Sequence, residues 1–304
     1  MEYLPEQIKT NQIQVIDLGD NSIGDDGVRH IANTLASNTS VKLIYLWGNL
    51  FGDEGAKHIA RALTINMSVQ KIDLEDNRIG EEGAKHIASA IMINTSLQVI
   101  NLEDNRIGEE GAKHIARALI SNRSVRVIVL GGNNIGDEGV KHIASALMSN
   151  TSVQEIHLGN NNIGPKGAKH IARALMGNTS IQKIYLWNNN IGSKGAKHMA
   201  SAIRSNTSVQ KIDLSGNHIG PKGAKHIASA LNINPYISTK LHKSCIDMFK
   251  NLYTKTLFKR IGRRTMHDIC TSSILIKFNK KSDLLIHLPF LIKNVYLFFK
   301  KKYN

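Results

Sequence analysis

A 28-residue unit recurs along this chain, and that period constrains its fold more than any other feature. Aligned on an Ile-Gly pair, eight copies place Ile23, Phe51, Ile79, Ile107, Ile135, Ile163, Ile191 and Ile219 in register without an insertion. A unit of this size buries its apolar face only against its neighbours, so residues 13–236 must build a solenoid rather than a single-core enzyme domain. A 12-residue lead precedes the repeats and a 68-residue tail, 237–304, follows them.

Two periods alternate within each unit. Ile72 and Leu74, like Ile184 and Leu186, alternate along a strand, which buries one face and turns the other outward. An Asn follows each strand, at 21, 49, 77, 105, 133, 161, 189 and 217, where its amide can satisfy backbone groups that the turn leaves unpaired. Ala56, Ile59, Ala60 and Leu63 then fall at i, i+3, i+4 and i+7, one stripe of a helix whose alanines let it lie close to the sheet. Asn66 is expected to end that helix in the left-handed conformation.

This unit resembles a leucine-rich repeat, and its length resembles the ribonuclease-inhibitor type found in NOD-like receptors and Ran GTPase-activating proteins. The resemblance implies an α/β leucine-rich-repeat solenoid, a horseshoe with a parallel sheet on the concave face and helices on the convex face. Packing leads to the same shape. Parallel strands stack ~4.8 Å apart and helices ~8–10 Å apart, so each unit turns by roughly 20–25°.

Charge is unevenly spread. Of a formal +15, +12 lies in the tail, where 15 Lys/Arg face only Asp247, Asp268 and Asp283. Both cysteines, Cys245 and Cys270, are there as well. Without a disulfide framework, a zinc spacing or a secretory signal, a cytoplasmic location is expected, or delivery into another cell's cytosol. No phosphate-cradling loop, GxSxG, HExxH or CxxC motif occurs, so no enzyme activity, cofactor or metal is expected.

Three repeated features invite functional readings. A His follows a basic residue in every helix, from His30 and His58 to His198 and His226. The helical wheel turns His58 away from the buried stripe, and rungs ~8–10 Å apart are too distant to share a zinc ion, so a solvated ladder is expected. N-x-Ser triplets recur at Asn38, Asn66, Asn94, Asn122, Asn150, Asn178 and Asn206. Their regular spacing marks a copied turn rather than glycosylation. The helix-start loops are acidic in repeats 1–5 and carry Lys166, Lys194 and Lys222 in repeats 6–8, which is either drift or a basic end for an anionic partner.

Repeats 3 and 4 are identical over Glu75–Ala88 and Glu103–Ala116, so the positions that do vary along the chain carry information. These are the outward strand positions: Tyr45, Asp73, Asn101, His157, Tyr185 and Asp213 between the Ile and Leu, and Trp47, Glu75, Glu103 and Trp187 after the Leu. Both tryptophans fall here, roughly 24 Å apart along a flat sheet. They read either as interface anchors flanking an acidic patch or as rings that cover a neighbour's small residue. The ten residues are the expected contact surface for a protein partner, and a monomer is expected.

The tail breaks the pattern. A ninth strict copy would place its strand Ile and Leu on Lys240 and His242. Residues 245–261 carry an amphipathic helical pattern suited to capping the last repeat. Residues 284–299 are apolar but short for a bilayer span, so membrane-surface contact through 245–304 is the alternative. No base-reading module accompanies the charge, so nucleic acid is not an expected partner. The Ran GTPase-activating resemblance leaves a GTPase regulator as a second alternative.

Overall fold

A computed structural model describes residues 10–234 and 236–240; the expectations for 241–304 lie outside the described residues. Over the repeats it is an α/β solenoid. Strands β1 (Val15–Asp17), β2 (Leu43–Tyr45), β3 (Lys71–Asp73), β4 (Val99–Asn101), β5 (Val127–Val129), β6 (Glu155–His157), β7 (Lys183–Tyr185), β8 (Lys211–Asp213) and β9 (Ser238–Lys240) form one sheet in chain order. All pairs are parallel. Helices α1 (Gly24–Leu35), α2 (Asp53–Ile65), α3 (Glu81–Ile93), α4 (Gly108–Ser121), α5 (Gly136–Leu147), α6 (Pro165–Gly177), α7 (Gly192–Ser205) and α8 (Gly220–Leu231) connect them.

Each unit from the second to the eighth buries its strand Ile and Leu under its helix stripe, as Ile72, Leu74, Ala84 and Ile87 do, all with no exposed surface. Strand register advances by one full unit at every step from β1 to β8, so each strand Ile stacks on the next. The ninth strand differs. Ile212 pairs with Thr239, one position short of the strict period, and not with Lys240. One residue lost between Ile237, which is buried at the Val209 position, and the strand lets the sheet continue where a strict period would have buried a lysine.

Two buried asparagine ladders join the units. After each strand from β2 to β8 the Asn side chain reaches back into the preceding repeat. Asn161 Nδ2 donates to Leu130 O and Gly159 O, and its Oδ1 accepts from Asn133 N and Ile135 N. The second ladder sits at the helix ends. Asn66 is not left-handed there but extended, at φ −74 and ψ 116. Extension swings its amide inward, to donate to Leu35 O and Asn38 O while accepting from Ser68 N and Val69 N. The N-x-Ser asparagines are therefore core residues, each 5% exposed or less, and the folded packing has no room for a glycan on them.

An aspartate on one helix decides how the next one begins. Asp25, Asp53 and Asp137 each accept from the Ile-Gly or Phe-Gly glycine N–H of the following repeat and from a second N–H one turn later, as Asp53 Oδ1 does from Gly80 N and Gly83 N. The glycine is then extended, φ −97 at Gly80. After Glu81 and Glu109 the carboxylate does not take this role. Gly108 and Gly136 then adopt φ +63 and +66 and donate instead to Asn133 O and Asn161 O of the next repeat. The second acid of each pair serves its own helix: Glu54, Glu82, Glu110 and Glu138 bridge to the Lys three positions on, which holds their carboxyls below the usual range.

Candidate functional site

All ten expected contact residues fall on the outward face of the sheet, within or just after a strand, because the side-chain period of two turns them away from the helices. They are not equally accessible. Trp47 is 42% exposed, whereas Asn101 and Asp213 are buried at 9% and 5%. Asn101 Nδ2 donates to Asp73 Oδ1 at 2.9 Å and Glu75 Oε2 at 2.8 Å, so it serves the neighbouring carboxylates rather than projecting outward. Asp213 accepts from the Ser215 backbone and hydroxyl.

The tryptophans have a packing partner. A side chain at Gly19 would overlap the Trp47 indole, and one at Gly159 would overlap that of Trp187. Each ring thus lies over a glycine of the preceding repeat, which fixes its orientation while its outer surface stays available. The same logic places Glu103, whose carboxylate leans over Gly131 so closely that a Cβ there would meet it at 2.5 Å. Partial burial, with Glu75, Asp104 and Asp73 nearby, raises the Glu103 pKa.

Cations and rings interleave near both ends of this face. His157 stacks on Tyr185 with centroids 4.2 Å apart. Lys211 Nζ lies 4.8 Å from the centre of the Tyr185 ring, and Lys71 Nζ lies 4.6 Å from that of Tyr45. Glu155 bridges His157 at 2.8 Å and Lys183 at 2.9 Å. Burial works against its ionisation, but the hydrogen bonds with Lys183 and His157 outweigh it and keep its pKa below the ordinary value. Glu103, His157, Tyr185, Trp187, Asn188, Lys211, Asp213 and Ser215 line an open hollow of about 520 Å³. The sequence identifies most of its walls, and a ring covering a neighbour's small residue is one of its readings of Trp187; it does not reveal that Glu103 leans over Gly131, because the two positions lie a whole repeat apart.

The histidine ladder is less exposed than the wheel implies. His30 is exposed, but His58, His86, His114, His142, His170, His198 and His226 are half-buried, since adjacent helices screen their flanks. Burial and the nearby Lys169, Lys197 and Arg173 lower the His198 pKa. No grouping of His, Cys, Asp or Glu among the described residues could hold a metal ion. No helix among them is long and apolar enough to cross a membrane.

Glu103 gives a test of this electrostatic picture. A carboxyl whose folded pKa is raised binds protons more tightly in the folded state, so its ionisation opposes folding as pH rises. Glu103→Gln should therefore raise the melting temperature at pH 7. The gain is small, under about 1 kcal/mol after solvent screening, and shrinks as pH falls through the raised pKa. Thermal melts of both proteins at pH 7 and pH 4 measure it.

A strand-turn-helix unit copied eight times, with an Asn ladder behind an I-x-L strand, defines a leucine-rich-repeat protein. Comparison with known families agrees: a model described as Leucine Rich repeat matches residues 12–32, 66–88, 94–116, 121–144, 149–172 and 205–228. The repeats are leucine-rich repeats, and their spacing is consistent with the ribonuclease-inhibitor type. Among solved structures it is similar to "Leiomodin-1 Actin-Binding Site 2 (ABS2)", at 20% identity and a TM-score of 0.37, over 50% of this chain and 75% of that one. No curated protein matches the chain.

Proposed function

We propose that this protein is a non-enzymatic scaffold that binds a protein partner along the outward face of its sheet. One observation carries the reading: two tryptophans, each seated on a glycine of the repeat before, present oriented ring surface on a face whose other positions are mostly polar or charged. Rigid aromatics held in place lose little entropy on binding and dominate interface energetics. The acidic stretch from Asp73 to Glu103 favours basic side chains on the partner, and the His157–Tyr185–Trp187 wall favours their apolar stems.

The test is an affinity pull-down with the intact chain against the Trp47→Ala/Trp187→Ala double variant, followed by titration of the captured partner. Each anchor is expected to contribute about 2 kcal/mol, roughly a 30-fold loss of affinity per tryptophan. Unchanged affinity in the double variant would remove the sheet face from the reading. Because both rings lie over glycines on the surface, the variants should stay folded, which circular dichroism checks.

A further inference from the structure

We propose that a second surface, the side of the solenoid formed by the C-terminal ends of the helices, docks onto an anionic lipid membrane. This surface is separate from the sheet face and does not depend on the partner proposed there. Eight of the twelve exposed large hydrophobic residues among the described ones lie at or within two residues of helix C-termini, although helix ends are a small part of the surface. At one repeat position they form a continuous row: Met92, Ile120, Met148 and Met176 are 54%, 48%, 65% and 47% exposed in four consecutive units. Ile65 and Ile93, one position later in the unit, add to the patch at its N-terminal end, at 66% and 56% exposed. With helices ~8–10 Å apart, the four-residue row alone spans roughly 24–30 Å. Scattered surface hydrophobics need no account, but an aligned row does.

Charge on the same side has one sign. In every repeat the stretch that starts at the Ile or Met after the ladder histidine and runs to the next strand, such as 59–70, 87–98 and 115–126, contains no Asp or Glu. The carboxylates of the repeats lie instead near strands and helix starts. Exposed Arg61, Arg117, Arg123 and Arg173 stand beside the apolar row. Arg61, Arg117 and Arg173 lie before the last turn of α2, α4 and α6, where the helix dipole has little hold on them. The dipole gives no reason for methionine and isoleucine at about half exposure or more.

The chemistry of the row fits lipid better than protein. Its side chains project singly from successive helix ends, and aromatic anchors of the kind that dominate protein interfaces are absent from it. A bilayer requires no matching shape. It accepts bulky apolar side chains held at one level, with cations beside them to meet lipid phosphates. Guanidinium groups suit that task through paired hydrogen bonds to phosphate oxygens.

The experiment is co-sedimentation of the full chain with vesicles of phosphatidylcholine alone and with one-third phosphatidylserine. Three proteins are compared: wild type, Met92→Glu/Met148→Glu/Met176→Glu, and Arg61→Ala/Arg117→Ala/Arg173→Ala. All six positions are exposed, so thermal melts should show each variant folded. Should the Glu variant fail to fold, Met92→Gln/Met148→Gln/Met176→Gln takes its place. Wild type is expected to bind the anionic vesicles at least tenfold more tightly than the neutral ones. The folded Met variant should lose at least tenfold in affinity, and the Arg variant should lose affinity with a weaker salt dependence. Since the basic tail is present throughout, binding that survives in the Met variant assigns lipid contact elsewhere and overturns the proposal. So does equal binding to both vesicles, or a wild type that ignores vesicles, whether or not it self-associates through the Met row in sedimentation velocity.

Discussion

Asn161→Ala should destabilise the protein by about 3–5 kcal/mol, although the residue lies in a turn and contributes no apolar core. The side chain is fully buried and makes four hydrogen bonds to backbone groups, one at the end of its own strand and three across to repeat 5. Removing it strands Leu130 O, Asn133 N and Ile135 N, each at a cost of about 1–3 kcal/mol before any water or backbone shift relieves it, while Gly159 O keeps its bond from Gly132 N. The first rung provides the control. Asn21 is exposed and its amide donates to Gly19 O of its own turn, so Asn21→Ala should cost under about 1 kcal/mol. Urea unfolding of both variants measures the difference. Equal costs would mean that the ladder contributes little and that stacking of the apolar strands alone holds the units together.

Phe51→Ala is expected to cost about 3–5 kcal/mol, while Phe51→Ile should cost only about 1 kcal/mol. Phe51 is the single departure from Ile at the position that leads into each helix, and it has no exposed surface. Its ring packs against Gly55, where a Cβ would approach Phe51 Cδ2 to 2.9 Å. Alanine leaves a cavity in the core of repeat 2. Isoleucine reproduces the solution that seven other units already use. The same denaturation measurements decide it, and an Ile variant as unstable as the Ala variant would show that repeat 2 is packed around the ring in a way the other units are not.

Most of this architecture is legible in the chain because one period governs both the strand and the helix. The I-x-L alternation and the Ala56-to-Leu63 stripe each have one burial solution, and the outward positions follow from it. What a linear reading misses lies between positions one repeat apart. Asn66 reads as a left-handed cap because its bonds to Leu35 and Asn38 cannot be inferred from its own segment. The lean of Glu103 over Gly131 stays hidden because the two positions lie a full unit apart, whereas rings seated on a neighbour's small residue are one of the two readings of Trp47 and Trp187. His58 reads as solvated because a helical wheel omits the neighbouring helices. The ninth strand is masked by a one-residue slip that a strict period cannot accommodate. The Met92–Met176 row is visible in principle, since its residues share one repeat position, but exposure is decided by how far the helix ends project.

The asparagine ladders bind each unit only to the units beside it. Excising or inserting one complete copy would therefore leave every remaining amide with a partner, whereas a change of a few residues would leave several without. Length is thus a cheap variable for this scaffold and phase an expensive one. The surface can grow by whole modules, and its chemistry can be rewritten at the outward strand positions, without any change to the parts that make it fold.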